Sequence, residues 1–262
     1  MHPLTDLARP LVIAHRGDRA HVPENTVAAI TAAVALGVDA VEFDVRLSAD
    51  GEVFVLHDPT LERTTDGVGP AEARHMRELR TVDAGYRWTP DGGRTFPFRG
   101  RGIRIPTLDE VLDALPAELP VIVELKTEAV ASAALAILSR RGVAPRALMG
   151  SFRSSALADF APPFARGATP PQAADALVRL CTARAPAPAY DAICIPPWHG
   201  LIPVPVKALA RAHRRIGVAT HVWTVNDPAR AIAYWAAGAT GIVTDDPATI
   251  LEARRTWRAR SS

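Results

Sequence analysis

The chain has 262 residues, a formal net charge of +2 and 48% hydrophobic residues. That length fits one large α/β barrel or two smaller domains, and that hydrophobic content excludes disorder over most of it. A near-balanced charge with no dense basic patch argues against nucleic-acid binding, and no run approaches the roughly 18 apolar residues of a membrane span.

Positive charge comes almost wholly from arginine, since Lys126 and Lys207 are the only lysines. Cys181 and Cys194 have no ligand-like spacing, so neither a disulfide framework nor a thiolate zinc site is expected. They read as reduced core thiols of a cytoplasmic protein. The opening residues MHPLTDLARPLVIAHRG lack a basic stretch followed by a long apolar core, and cleavage at the usual distance would remove His15.

In chain order, apolar runs at 11–14 and 38–45 flank a helical pattern over 25–36. A third apolar run, 53–56, delivers His57-Asp58. Residues 63–104 break the rhythm with glycines, prolines and four aromatics, Tyr86, Trp88, Phe96 and Phe98. This stretch reads as an insertion with a short helix at 71–79, serving either as a binding wall or as a surface flap. Thr107 and Glu110 form a capping-box start for a helix to about 115. Strands follow at 121–125, 147–152, 164–168, 192–195, 218–225 and 241–244. Helices are expected between them at 129–141, 154–160, 171–184, 204–215 and 227–237. A last helix is expected to about 257, with a frayed tail at 258–262. Eight strands alternating with helices at this length predict a closed (β/α)8 TIM barrel with a small insertion after the second barrel strand. The whole chain, 1–262, then forms one domain with 63–104 inserted in it. A doubly wound open sheet is the alternative, weakened by the lack of a glycine-rich phosphate fingerprint after the first strand.

Residues two apart on a strand share a face, so Glu42 and Asp44 point one way and Glu124 and Lys126 form a second such pair. With parallel strands, three carboxylates converge at one barrel end with His15 and His57. Glu42, Asp44 and Glu124 sit in apolar runs, where a carboxylate must be paired or bind metal. Oxygen donors without thiolate suit a hard divalent cation, Mg²⁺ or Ca²⁺, ahead of zinc. Two imidazoles can share acid and base roles. Arg16 suits phosphate oxygens or an ion pair with Glu24. Lys126 is either a required compact ammonium or a salt-bridge partner. Asn25 reads as the N-cap of the first helix. His21, His75, His199, His213 and His221 read as surface or structural.

These residues resemble the glycerophosphodiester phosphodiesterase family. The matching motifs are His15-Arg16-Gly17, Pro23-Glu24-Asn25-Thr26, Glu42-Phe43-Asp44, His57-Asp58, Ile105-Pro106-Thr107-Leu108, Glu124-Leu125-Lys126 and Trp223-Thr224-Val225-Asn226. They occur in the family's order; residues 161–188 and 196–199 match poorly. The resemblance implies a (β/α)8 barrel, a divalent metal on Glu42, Asp44 and Glu124, and His15 and His57 as general acid and base. It also implies Arg16 and Lys126 near the phosphate, and Trp223 with the insertion aromatics around the glycerol or alcohol pocket. The implied reaction yields sn-glycerol 3-phosphate and an alcohol from a small glycerophosphodiester, placing the chain in glycerol and lipid metabolism. Two other readings stand beside it. One is a lysophospholipase D-like enzyme using the arginine-interleaved aromatics Trp88, Phe96 and Phe98 as an apolar groove. The other is a barrel that binds phosphodiesters without turnover.

Overall fold

A computed structural model describes residues 2–182, 184 and 187–261. Strands and helices alternate: β1 Leu11–His15, α1 Val27–Leu36, β2 Ala40–Leu47, β3 Val53–Val55, α2 Met76–Leu79, α3 Leu108–Ala114, β4 Val121–Leu125, α4 Ala131–Arg140, β5 Ala147–Gly150, β6 Ala165–Arg166 and α5 Pro170–Cys181. There follow β7 Ala192–Ile195, β8 Trp198–His199, β9 Ile202–Pro203, α6 Val206–Arg215, β10 Ala219–Val222, α7 Pro228–Ala236, β11 Gly241–Thr244 and α8 Pro247–Ser261.

The main sheet runs β6-β5-β4-β2-β1-β11-β10-β7, and all of its neighbours on this path are parallel. Its two ends meet through a parallel bridge between Gly167 and Ala192, where Ala168 N–H donates to Ala192 O at 2.8 Å. Eight parallel strands thus nearly close into a (β/α)8 TIM barrel, as expected from the alternation of patterns. β3 pairs antiparallel with β2, and β8 with β9.

The strands are apolar on both faces because both are covered. Val12, Val41, Phe43, Val121, Val123 and Leu125 face the helices and form the large outer core. Leu11, Ile13, Ala40, Ile122, Leu148, Ala192, Ala219 and Val243 fill the barrel interior, plugged from below by Leu4. Each fully buried large side chain here stabilises the fold by roughly 2–5 kcal/mol relative to alanine. A third cluster, including Phe54, Leu61, Met76, Leu79 and Ile105, packs under the long segment between β3 and α3.

Helix starts follow local chemistry. Thr26, Thr107, Thr169 and Asp227 stand at N-caps, with capping boxes at Thr107/Glu110 and Thr169/Gln172. Thr26, rather than Asn25, caps α1: its Oγ1 accepts from Ala29 N–H at 3.2 Å.

Several expected boundaries shift. The helix expected at 71–79 is one turn, Met76–Leu79, and that expected at 154–160 is the 3₁₀ turn Ser154–Leu157. The strand at 147–152 stops at Gly150, and that at 218–225 spans Ala219–Val222. The helix expected to 184 ends at Cys181; residues 183, 185 and 186 of the poorly legible stretch lie outside the described residues. α8 continues through Ser261 where fraying was expected, and Ser262 lies outside the described residues. Cys181 is exposed and so is no core thiol, whereas Cys194 faces the barrel interior. Among the described residues, no helix is long and apolar enough to cross a membrane.

Candidate active site

The barrel interior turns from apolar to charged as the strands rise. Ile13 is followed two residues on by His15, Ala40 by Glu42 and Asp44, Ile122 by Glu124, and Val243 by Asp245. Strand register places His15 beside Glu42, and Asp44 beside Glu124. One carboxylate oxygen from each of Glu42, Asp44 and Glu124 lies within 4.8 Å of the others. The three predicted acids therefore do converge.

Their electrostatics are strained. Burial pushes the Glu42 carboxyl well above the usual carboxylate range, and the Asp44 charge raises it further. Burial and Asp44 likewise push Glu124 up. Burial acts on Asp44 in the same sense, but Lys126 and Arg16 outweigh it and hold that carboxyl low. The Lys126 ammonium lies 2.6 Å from Glu124 Oε1 and 3.0 Å from Asp44 Oδ1. The latter is an ion-pair approach without hydrogen-bond alignment, so buried Asp44 Oδ1 is left with no aligned donor. Charge repulsion among three acids and an unsatisfied buried oxygen both fit a hard cation, which oxygen-only donors suit.

Arg16 is buried between acids. Its Nη1 donates to Glu24 at 2.8 Å, its Nε lies 3.0 Å from Asp44 Oδ2, and its main-chain N–H donates to Glu42. The ion pair with Glu24 is thus present. Glu24 also meets Arg19 at 3.0 Å and Arg63 at 2.6 Å. Burial opposes its ionisation, yet these arginines hold the carboxyl far below its ordinary range.

Both histidines sit at strand mouths, each with Nδ1 on a carboxylate. His15 Nδ1 is 2.6 Å from Asp245 Oδ1, and His57 Nδ1 is 2.6 Å from Asp58 Oδ1. A carboxylate accepts only, so Nδ1 carries the proton and each neutral ring keeps Nε2 as its basic atom. His15 Nε2 lies 3.9 Å from Glu42 Oε2. Burial lowers both imidazoles, against the pull of the neighbouring acids.

Several residues that complete the site have no site role from sequence alone, although Asn25 reads as a cap and Asp58 and Asn226 stand in the motifs that carry the family resemblance. Asp245 is gripped by Asn226, whose Nδ2 donates to it at 3.0 Å and whose Oδ1 accepts the Asp245 N–H at 2.8 Å. Asp58 is paired with Arg63. Asn25 has a left-handed φ of 56°, tolerable for asparagine, and its Nδ2 donates to Asp44 Oδ2 at 2.8 Å. Gly17 lets the turn after β1 lie on α1: a Cβ there would stand 2.5 Å from the Ala29 carbonyl carbon. The signal available in sequence was position, since Asp245 follows an apolar strand and Asp58 follows His57.

Trp223 follows β10 and packs on the interior cluster, with Phe152 edge-on at 6.1 Å. The aromatics between β3 and α3 pack among themselves. Trp88 meets Phe98 edge-on at 5.0 Å and donates through Nε1 to Arg19 O, while Arg99 covers Tyr86 and Phe96.

A model of the glycerophosphoryl diester phosphodiesterase family matches residues 15–249. A glycerophosphodiester phosphodiesterase of Caldanaerobacter subterraneus is 32% identical over 255 residues, covering 93% of this chain and 97% of that protein. An uncharacterised protein of Mycobacterium tuberculosis is 38% identical over 153 residues, covering 57% of this chain. The match spans half, 50%, of that relative's length. Among solved structures, a glycerophosphodiester phosphodiesterase of Agrobacterium tumefaciens has a TM-score of 0.72 and 30% identity, covering 93% of this chain and 99% of that one. A phosphodiesterase of Oleispira antarctica, in complex with the product sn-glycerol-3-phosphate, has a TM-score of 0.73 and 27% identity, covering 94% and 97%.

Proposed function

The chain belongs to the glycerophosphoryl diester phosphodiesterase family, and we propose that it hydrolyses glycerophosphodiesters to sn-glycerol 3-phosphate and an alcohol. One observation carries this reading: His15 and His57, each backed by a carboxylate on Nδ1, stand at the same barrel mouth as Glu42, Asp44 and Glu124. The product bound to the Oleispira antarctica relative supports the choice of substrate.

Glu42, Asp44 and Glu124 would hold a divalent cation, Mg²⁺ or Ca²⁺. Such a cation supplies Lewis-acid stabilisation of phosphoryl charge. The protein supplies the rest. Arg16 and Lys126 add two positive charges beside the acids and offset the single negative charge of a phosphodiester. One imidazole, neutral with its proton on Nδ1, takes the proton of the nucleophile through Nε2. The other, entering the step as the imidazolium, gives its Nε2 proton to the departing alkoxide and is left neutral. Asp245 and Asp58 hold the Nδ1–H of the two rings and stabilise whichever ring is the imidazolium. Trp223 bounds the side of the pocket toward β10. Whether water or the neighbouring glycerol hydroxyl attacks, the same two rings move the protons.

We read the whole chain as one cytoplasmic barrel domain with residues 63–104 as its inserted wall, acting on a small-molecule substrate. The test is a panel of glycerophosphodiesters differing in alcohol, with coupled detection of sn-glycerol 3-phosphate. Release of that product in the presence of Mg²⁺ or Ca²⁺ is the expected result. Binding of the panel without release from any member would leave a barrel that binds phosphodiesters and does not cleave them.

A further inference from the structure

The chain after β7 turns back on itself as the β8–β9 hairpin, with Trp198 paired to Pro203 and His199 to Ile202. Gly200 and Leu201 form the two-residue tip, and Gly200 takes the positive φ, 59°, that such a tip demands. Turn tips ordinarily carry polar residues. This one carries Leu201, 96% exposed, flanked by Ile202 at 68% and Trp198 at 52%. Single exposed apolar residues need no explanation, but three on one projecting tip do.

The hairpin's position adds to this. β7 stands between β6 and β10 in the barrel, so its loop opens on the same mouth as the carboxylates. The loop after β5 contributes Phe152, 60% exposed, which lies edge-on to Trp223 after β10. One sector of the rim is therefore apolar, while the sector of Arg19, Glu24, Asp58 and Arg63 is charged.

Charge completes the pattern. No acidic residue occurs between Asp191 and Asp227, and of the cations in that stretch Lys207 stands beside the hairpin, whereas Arg214 lies at the far end of α6, where its Nη1 donates to Leu7 O. Exposed Lys207 lies in the first turn of α6, directly after the hairpin, and exposed Arg153 adjoins Phe152. An apolar tip with a tryptophan at its base and cations beside it matches the interface of an anionic bilayer. There, leucine and isoleucine enter the acyl boundary, tryptophan sits at headgroup level, and basic side chains meet lipid phosphates.

We propose that the β8–β9 hairpin docks this face of the barrel onto an anionic lipid surface, with the site mouth turned toward that surface. The docking itself stands apart from the hydrolytic reading, but its use, presenting membrane-derived phosphodiesters to the site, rests on it.

The test is co-sedimentation of the full chain with phosphatidylcholine vesicles, with and without phosphatidylglycerol, for the wild type and the double variant Leu201→Asp/Ile202→Asp. The wild type should bind the anionic vesicles, with a blue shift of tryptophan fluorescence. The variant should bind at least about tenfold more weakly. Soluble glycerophosphocholine, read in parallel, should be turned over equally by both. No wild-type binding, or equal binding by the variant, overturns the proposal. A wild-type dimer that the variant dissociates, without vesicle binding, also overturns it and assigns the tip to a second copy of the chain. Vesicle binding without turnover of glycerophosphocholine would leave docking intact and count against the hydrolytic reading instead.

Discussion

Arg46 holds His57 by its main chain: Nε and Nη2 of the guanidinium donate to the His57 carbonyl oxygen at 3.2 and 2.7 Å. The third corner of the fork, Nη1, donates to Glu72 at 2.9 Å, and Glu72 in turn accepts from Thr127 Oγ1 at 3.1 Å. Arg46 lies two residues beyond Asp44 on β2, so a single strand carries metal-type ligands and fixes the segment bearing one imidazole.

Arg46→Leu should therefore lower kcat by roughly 10–100-fold with a smaller effect on KM, because a misplaced imidazole costs more in the transition state than in binding. Arg46→Lys should recover part of the loss, since an ammonium can reach Glu72 but cannot fork onto a carbonyl. Calorimetry should find cation affinity unchanged. A variant with lowered stability and wild-type kcat would make Arg46 a purely structural residue.

The two histidines should be separable by leaving group. His15→Ala and His57→Ala should each cost about 10²–10⁴-fold in kcat on glycerophosphocholine. On a p-nitrophenyl phosphodiester, whose leaving group departs without protonation, loss of the general acid should cost far less and loss of the base should cost as much. Asp245→Asn should weaken catalysis in the same pattern as His15→Ala, because the amide no longer enforces the Nδ1–H tautomer. Near-normal kcat in both alanine variants would remove the histidines from the mechanism.

Gly17 has φ 84° and would place a Cβ 2.5 Å from the Ala29 main chain, whereas Gly37, with φ 76°, has open space around it. Gly37→Ala should cost about 1 kcal/mol for the left-handed backbone. Gly17→Ala should cost at least about 2 kcal/mol more, since main chain cannot move aside as a flexible side chain does. Chemical denaturation measures both, and equal costs would contradict this packing of the β1 turn on α1.

His221 is buried at the barrel floor against Gly241, and both ring nitrogens lack an aligned hydrogen bond. Burial lowers its pKa from 6.5 to about 4. Between these values the unfolded chain binds a proton that the folded chain does not. Stability is thus complete above pH 6.5 and is lost as pH falls toward 4, on the order of 3 kcal/mol in all. His221→Gln should make the unfolding free energy fall less steeply over that window than in the wild type, by the share His221 contributes, whatever its absolute stability. Parallel curves for the two proteins would contradict the assignment.

The barrel was legible because a buried parallel strand writes itself as a short apolar run, and Glu42, Asp44 and Glu124 stood out as charges inside such runs. What was illegible depends on neighbours distant in sequence. Asn25 reads as a cap until Asp44 is seen beside it, and nothing in the sequence ties the Arg46 guanidinium to the His57 carbonyl. The β8–β9 hairpin has only two residues a side, too few to write an alternating strand pattern in the sequence. The long segment before α3 showed its aromatics but not that Arg99 and Trp88 would be spent on Tyr86, Phe96 and Phe98.

Metal-dependent hydrolysis at the Glu42, Asp44 and Glu124 cluster is tested most directly by turnover of glycerophosphocholine before and after exhaustive chelation, with metal content verified. Chelation should reduce release of sn-glycerol 3-phosphate to background, and Mg²⁺ or Ca²⁺ should restore it. Glu42→Gln should need a higher cation concentration for the same rate, because the amide keeps the shape and loses the charge. Full turnover by verified metal-free protein would contradict the assignment of this cluster.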